Sequence, residues 1–399
     1  MRVVEGLALT PADERKKRDM PATQAPAKPA AKGQGPAPIA FRTGTASHDE
    51  MSYDESRALG AGTVDLPVLS IPPAGFLRHL WMIVDVTTSG NSANTAFKED
   101  GIFNVIDTLQ LEDVQSAPIF GPFAGWEVKT INKYGGYDHS SDPTASPAYS
   151  RTTGTGATGG SGTFAVRIPV ELVDRDALGA LPNKSGTAMF KLRVRLAPIS
   201  AVYSTAPTNA PTVRVRFVQV AWWDPDQADL RGQSIAQQPP AMGTTQFWTK
   251  TPYDVPAGAF RKQMERVGYA IRNLIFVLRD ANGSRAQGEA DFPDPLNIQL
   301  DANVLASKVS RLWLHEMAVD YGYYGTAEAV NGPDNGVRVL QFCRDFGLKP
   351  GAETRRGYLE TTSATRLEPN GSIGGSGTHV LTVITNDVAP MGSYSQITG

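Results

Sequence analysis

The stretch GTGATGGSGTFAVRIPVEL, Gly154–Leu172, contains G-x-G-x-x-G at Gly154, Gly156 and Gly159, the spacing of a dinucleotide-binding turn. That turn works only when it follows a buried strand and opens a helix, so that a pyrophosphate meets free N–H groups at the helix N-terminus. The preceding residues, SSDPTASPAYSRTTGT, do not form a buried parallel strand. The following Phe164, Val166 and Ile168 alternate with Ala165, Arg167 and Pro169, the two-residue period of a strand. The glycines therefore read as a Gly/Ser/Thr loop between two strands, with no nucleotide. As a surface loop, residues 154–162 are expected to tolerate exchange for an unrelated linker.

Working outward, the same alternation recurs in LRHLWMIVDVTT, AMFKLRVRLAP, TVRVRFVQVAWWD, YAIRNLIFVLRD and THVLTVITND. A parallel α/β sheet needs a helix of ten or more residues between successive strands, and such segments are missing. The expectation is an all-β protein with minor helix, built from antiparallel sandwiches. One helix is predicted, Asp301–Asp320, capped by Asp301 or Asn303 and presenting Leu305, Val309, Leu312, Trp313 and Met317 on one inner face.

The strand pattern restarts after PPAMG, Pro239–Gly243. RIPVELVDRDALGALPN followed by MFKLRVRL matches PLNIQLDANVLASKVS followed by VRVLQF, each read as strand, capped helix, loop and strand, with Leu178 and Leu305 at equivalent places 127 positions apart. Two tandem β-domains follow, 46–243 and 244–399, after an arm of residues 1–45 rich in Pro, Ala and Lys. The arm buries too little apolar surface to order by itself. Trp222, Trp223, Phe247 and Trp248 are expected to pack together where the domains meet.

Composition narrows the function. Gly and Pro number 39 and 29, in keeping with many turns, and the 38 basic and 40 acidic residues leave a net charge of −2, without a polyanion-binding signature. Arg15, Lys16, Lys17 and Arg18 form a basic cluster diluted by Asp13, Glu14 and Asp19, read as a solvated tail. A lone cysteine, Cys343, leaves no intrachain disulfide and suits a reducing compartment. Glu5 interrupts the apolar start, so no signal-peptide core is expected.

Catalysis needs reactive groups that converge. The five histidines, His48, His79, His139, His315 and His379, form no linked motif. His315 and Glu316 begin like a zinc-protease helix, but Val319 stands where the second histidine belongs. Cys343 reads as a small strand residue. Asp224, Asp226 and Asp229 lack the glycine and distal glutamate of a calcium loop. Lys191, Arg193 and Arg195, with Arg214 and Arg216, line single strand faces without interleaved aromatics, as a polar sandwich face or a subunit contact would. No catalytic, cofactor-binding or metal-binding residue is assigned, and the chain is not expected to be an enzyme.

The order of elements through VELVDRDALGALPNKSGTAMFKLRVRLAP, the strand end VAWWDPDQ, and the 301–320 segment followed by GVRVLQF resembles the double jelly-roll major capsid proteins of tailless, membrane-containing bacteriophages of the tectivirus type, in the adenovirus-related lineage. The resemblance covers most of residues 50–390. It implies two jelly rolls, a homotrimer forming a pseudo-hexagonal capsomer of an icosahedral shell, and contacts with neighbouring capsomers and minor capsid or penton proteins. Assembly in the host cytoplasm, a virion location, and loops such as 139–162 as outer towers also follow from it. It implies neither a specific nucleic acid nor a small-molecule substrate. The arm departs from the family's pattern, leaving an internal membrane and adjacent subunits open as its contact. The rival classes are an exported β-sandwich carbohydrate-binding or adhesion protein and a phage spike or baseplate component.

Overall fold

Alternating apolar and polar residues become strands because successive side chains point to opposite faces of a sheet. The computed structural model describes residues 41–89, 92–137, 142–174, 177–225, 244–265, 267–285, 291–321, 336–343 and 357–389. Most of the arm, His139, Asp226, Asp229 and the Pro239–Gly243 break lie outside the described residues.

In the first half the principal elements are β1 (Ser47–Ala58), β2 (Phe76–Thr87), β3 (Ile106–Glu112), β4 (Pro118–Phe123), α1 (Gly125–Tyr134), β5 (Gly162–Pro169), β6 (Lys191–Leu196) and β7 (Thr212–Trp222). One sheet runs β1-β7-β2-β5, antiparallel throughout. A second joins β4, β3 and β6, also antiparallel. Leu80, Met82, Val84, Phe164, Val166, Val213 and Val215 from the first sheet share a buried apolar cluster with Leu109, Leu111, Leu192 and Leu196 from the second.

The second half contains β8 (Thr245–Arg261), β9 (Ala270–Arg279), β10 (Leu296–Leu300), β11 (Asn303–Lys308), α2 (Ser310–Tyr321), β12 (Val337–Gln341) and β13 (Leu367–Ala389). Its main sheet runs β8-β13-β9-β12, again antiparallel, while β10 pairs with β11 and with the start of β13. A single parallel pairing, Trp248 with Phe120, joins β8 to β4, so one sheet continues across both halves.

The predicted helix starts later than its sequence pattern. Residues 303–308 form β11, and Ser310 opens α2, its N–H held by Asp294 Oδ1 at 3.2 Å. Asp301 caps no helix; at φ 53° its Oδ1 accepts the N–H groups of Thr365 and Arg366. Trp313, Met317 and Tyr321, spaced four apart, form the seated face, whereas Leu305, Val309 and Leu312 are 40%, 49% and 57% exposed. Leu312 lies one residue, about 100° of helix, away from Trp313, and so points elsewhere.

The repeat is also differently placed. No helix surrounds Leu178 among the described residues; it is fully buried and forms an antiparallel bridge with Val173. The matching units are the hairpin-then-helix segments β3-β4-α1 and β10-β11-α2, whose helices start 185 positions apart, at Gly125 and Ser310. The sheet orders β1-β7-β2-β5 and β8-β13-β9-β12 then correspond strand for strand.

The sequence pattern missed α1. Nine of its ten residues are buried, Lys129, Asn132 and Lys133 among them, so it has no polar stripe opposite an apolar one. Its one local start signal is Glu127, whose Oε2 accepts the Ala124 N–H at 2.8 Å.

The loop from Gly154 connects the short exposed strand Ser150–Arg151 to β5. Gly154 and Gly156, at φ 94° and 101°, hold left-handed turns, and Gly154 bridges Thr95. The expected tolerance to exchange fails at the end of the segment. A Cβ on Gly160 would sit 2.7 Å from Thr95 Cγ2, and one on Gly162 would sit 2.3 Å from the Ser150 carbonyl oxygen.

Candidate assembly interfaces

The helix α1 is where the two halves engage. The Tyr134 carbonyl accepts from Asn273 Nδ2 at 2.8 Å and from the Tyr321 hydroxyl at 3.2 Å, and the Gly135 carbonyl accepts from Arg272 at 2.6 Å. The Tyr137 hydroxyl donates to Gln246 Oε1 and accepts from Trp248 Nε1, both at 2.7 Å. Lys250 Nζ lies 2.6 Å from Glu127 Oε2. These bonds pair most of the polar groups named at the joint, though Asn273 Oδ1 is buried without a hydrogen-bond partner.

Beside this joint Asp100, itself buried, accepts from Arg279 at 2.6 Å and from Arg285 Nε at 3.0 Å. Both guanidinium groups also stand 5.1 Å from the Trp126 ring centroid. Removed from water, such cation–π and ion-pair contacts are stronger than on a surface. A cleft of about 610 Å³ adjoins them, lined by Lys98, Glu99, Lys129, Tyr149 and Arg151. Its charges are of both signs, and the Asp100 carboxylate is held by arginines instead of facing another acid. The chemistry is that of a lock.

A second cluster anchors the chain leaving the arm. Phe41 packs edge-on against Phe76 and Trp222, at centroid distances of 5.2 and 6.4 Å. Arg42 and Arg78 lie 4.2 and 3.8 Å from the Trp222 ring. Arg78 bridges Glu171 at 2.8 Å and Asp174 at 2.6 Å, and Trp222 Nε1 donates to Glu171 at 2.7 Å. Burial raises the Glu171 carboxyl above the usual range, outweighing the lowering by Arg78 and Trp222.

The residues weighed in the sequence are scattered by the fold. His48 stacks on Trp223 at 3.7 Å, His315 is exposed on α2, and His379 is buried on β13. Burial, with Arg167 and Arg78 nearby, holds His79 well below its ordinary value, so its imidazole stays neutral. Glu316 pairs with Lys308, Asp224 pairs with Lys184, and Cys343 is buried. Among the described residues no three His, Cys, Asp or Glu side chains are grouped to hold a metal ion. Arg193 pairs with Glu112, Arg195 with Asp65, Arg214 with Asp54 and Arg216 with Asp85, so these arginines belong to ion-paired polar strand faces.

The four aromatic residues expected at the domain link do not meet as one patch. Trp222 joins the small cluster with Phe41, Trp248 joins the main core, Phe247 is half-buried, and Trp223 is 50% exposed. Neighbours along a strand point to opposite faces, so Trp222 and Trp223 could not share one. The joint was invisible in the sequence because Asp100, Trp126, Arg279 and Arg285 come from segments far apart in the chain.

No family model and no curated protein matches the sequence. Solved structures do. A crystal structure of the STIV MCP superposes with a TM-score of 0.58 at 14% identity, covering 88% of this chain and 98% of that one. A chain from the atomic structure of Sulfolobus Turreted Icosahedral Virus gives 0.60 at 13% identity, covering 88% and 95%. The fold is the double jelly roll. The duplicated four-stranded sheets and hairpin–helix units are its two halves, and the α1 joint is the seam of this double jelly roll.

Proposed function

We propose that the chain is the major capsid protein of a tailless, membrane-containing virus, working as a structural building block and not as an enzyme. The observation that carries this reading is a double jelly roll shared with the STIV MCP over 88% of the chain. In it, residues 46–243 and 244–399 are the two rolls, and three copies close into a pseudo-hexagonal capsomer that tiles an icosahedral shell with minor capsid proteins. Assembly takes place in the host cytoplasm. The arm, residues 1–45, contacts an internal membrane or neighbouring subunits, and its anchor at Phe41 fixes where it leaves the first roll. The ion-paired arginine faces and the locked Asp100 cluster support a role in holding shape. Light scattering on the purified full chain is the test: a particle of roughly 130 kDa, three copies of 42.8 kDa, is expected. A chain that stays monomeric at high concentration and forms no shell-like particles overturns the capsid reading.

A further inference from the structure

Each half of the chain ends its main sheet with a helix, and the two helices do the same job. In α1, Asn132 satisfies both backbone groups of Arg167 at the free edge of β5, at 2.7 and 2.6 Å. In α2, Trp313 Nε1 donates to the Val339 carbonyl at 2.6 Å and Met317 Sδ accepts the Val339 N–H at 3.4 Å, at the edge of β12. Asn132 and Met317 are each the eighth residue of their helix.

Their other sides differ. The far side of α1 and the residues just after it are covered by Gln246, Trp248 and Lys250 of β8 and by Asn273 and Arg279 of β9. Nine of ten α1 residues are buried, against four of twelve in α2. Around α2, Val304, Leu305, Val309, Leu312 and Val319 are exposed; they make up half of the ten large apolar side chains exposed among the described residues. Leu312 and Val319, seven apart, share one helix face.

The sheet that corresponds to β8-β13-β9 is β1-β7-β2, and none of the described helices covers its outer face. Met51, Val218 and Trp81 stand side by side in register across its three strands. Leu80 and Met82 point into the core, so Trp81 and its row face outward. Met51 is 60% exposed, and Trp81, Ile83 and Val218 are each partly exposed. The neighbouring rows of the same face carry the ion pairs Arg214–Asp54 and Arg216–Asp85, so the face is apolar at one end and charged at the other.

We propose that the exposed apolar face of β11 and α2 docks onto the outer face of β1-β7-β2 in a second copy of this chain, repeating between copies the contact that α1 makes within one. The template is the intrachain joint itself. One half supplies the helix and the other half the sheet, and among the described residues one example of each is left exposed, on opposite halves. Such a head-to-tail contact between unlike surfaces closes into a ring when the rotation permits. The proposal rests on the oligomeric capsomer reading and assigns its contact surfaces.

The test uses the full-length chain with Leu312→Asp on one face and Met51→Asp on the other. Each variant is expected to keep the wild-type circular dichroism spectrum, because both side chains are exposed, while its mass falls to the 42.8 kDa monomer and its melting temperature falls only to that of the dissociated wild-type chain. Mixed one to one, the variants retain a single good pair of faces and give a dimer of about 86 kDa, two copies of 42.8 kDa, and nothing larger. A mixture that stays monomeric, or variants that remain trimers, overturns the assignment. A wild-type chain that is itself monomeric counts instead against the capsomer reading. Hydrogen exchange of the unmutated protein gives an independent readout. Amides of residues 47–58 and 310–321 should gain at least tenfold protection on going from dilute monomer to assembled form, and unchanged exchange overturns the docking.

Discussion

Asn132 binds the backbone of Arg167 through both atoms of its side-chain amide: Oδ1 accepts the Arg167 N–H at 2.6 Å and Nδ2 donates to the Arg167 carbonyl at 2.7 Å. One side chain thus stands in for a neighbouring strand at the edge of β5. An open strand edge invites pairing with another molecule, and here a helix closes it. Removing the amide by Asn132→Ala leaves a buried donor and acceptor unmatched and should lower stability by about 1–3 kcal/mol. Urea denaturation checks this, and the same variant should aggregate more readily during refolding.

The aromatic pair at the chain link separates by burial. Trp248→Ala empties a fully buried site in the main core and should cost about 3–5 kcal/mol. Trp223→Ala removes a half-exposed ring stacked on His48 and should change stability by no more than about 0.5 kcal/mol. Equal effects in denaturant melts would contradict the packing described.

Asp100 is the single carboxylate shared by Arg279 and Arg285 at the seam. Asp100→Ala removes the carboxylate that both guanidinium groups share beside Trp126, leaving Arg285 facing Glu99 at 3.6 Å and Arg279 on the Gly283 carbonyl, and the expected loss is about 1–3 kcal/mol. If calorimetry resolves two transitions in this variant where the parent shows one, the seam is what makes the halves unfold together.

Acid sensitivity is expected at Asp142. Burial raises its carboxyl, but Lys129, Lys133 and the Thr144 N–H more than offset this and bring it to about 2. A carboxyl held below its unfolded value, about 3.9, stabilises the fold fully above that pH and loses its contribution as the pH falls towards 2. The melting temperature of the parent should therefore drop more steeply than that of Asp142→Asn between pH 4 and about 2, and the gap seen at pH 7 should narrow. Parallel curves over that range would contradict the assignment.

The glycine-rich loop divides into a tolerant tip and an intolerant base. Gly156 has nothing within 4 Å of an added Cβ, so Gly156→Ala adds only the strain of a left-handed residue, about 1 kcal/mol. Gly162→Ala drives a methyl group into the Ser150 carbonyl and Ile102, and should cost at least about 1–3 kcal/mol. Thermal melts of the two variants should rank in that order.

Much of the strand content was readable because β6, and β2, β5 and β7 over most of their length, follow a two-residue alternation, with one face in the core. β9 was readable as a strand, yet Ala270–Leu278 is buried on both faces, which its apolar run alone left unexplained. α1 was not readable, because a helix buried among partners of both polarities carries no stripe. The reading of 301–320 as one inner-faced helix failed for a related reason: Leu305, Val309 and Leu312 are apolar at helical spacing, yet they stay 40–57% exposed instead of entering the core.

By itself the amino-acid sequence determined the antiparallel β class, the loop character of Gly154–Gly159 and the absence of any linked catalytic motif. Each of these depends on residues within a few positions of one another. Only the tertiary structure decided the true repeat, the Asp100–Arg279–Arg285 lock, the Phe41 anchor and the unmatched faces on α2 and β1-β7-β2. Those depend on pairings between segments up to about 190 residues apart, and such pairings are set by how sheets stack and which edges must be closed, for which no local pattern of residues stands as a signal.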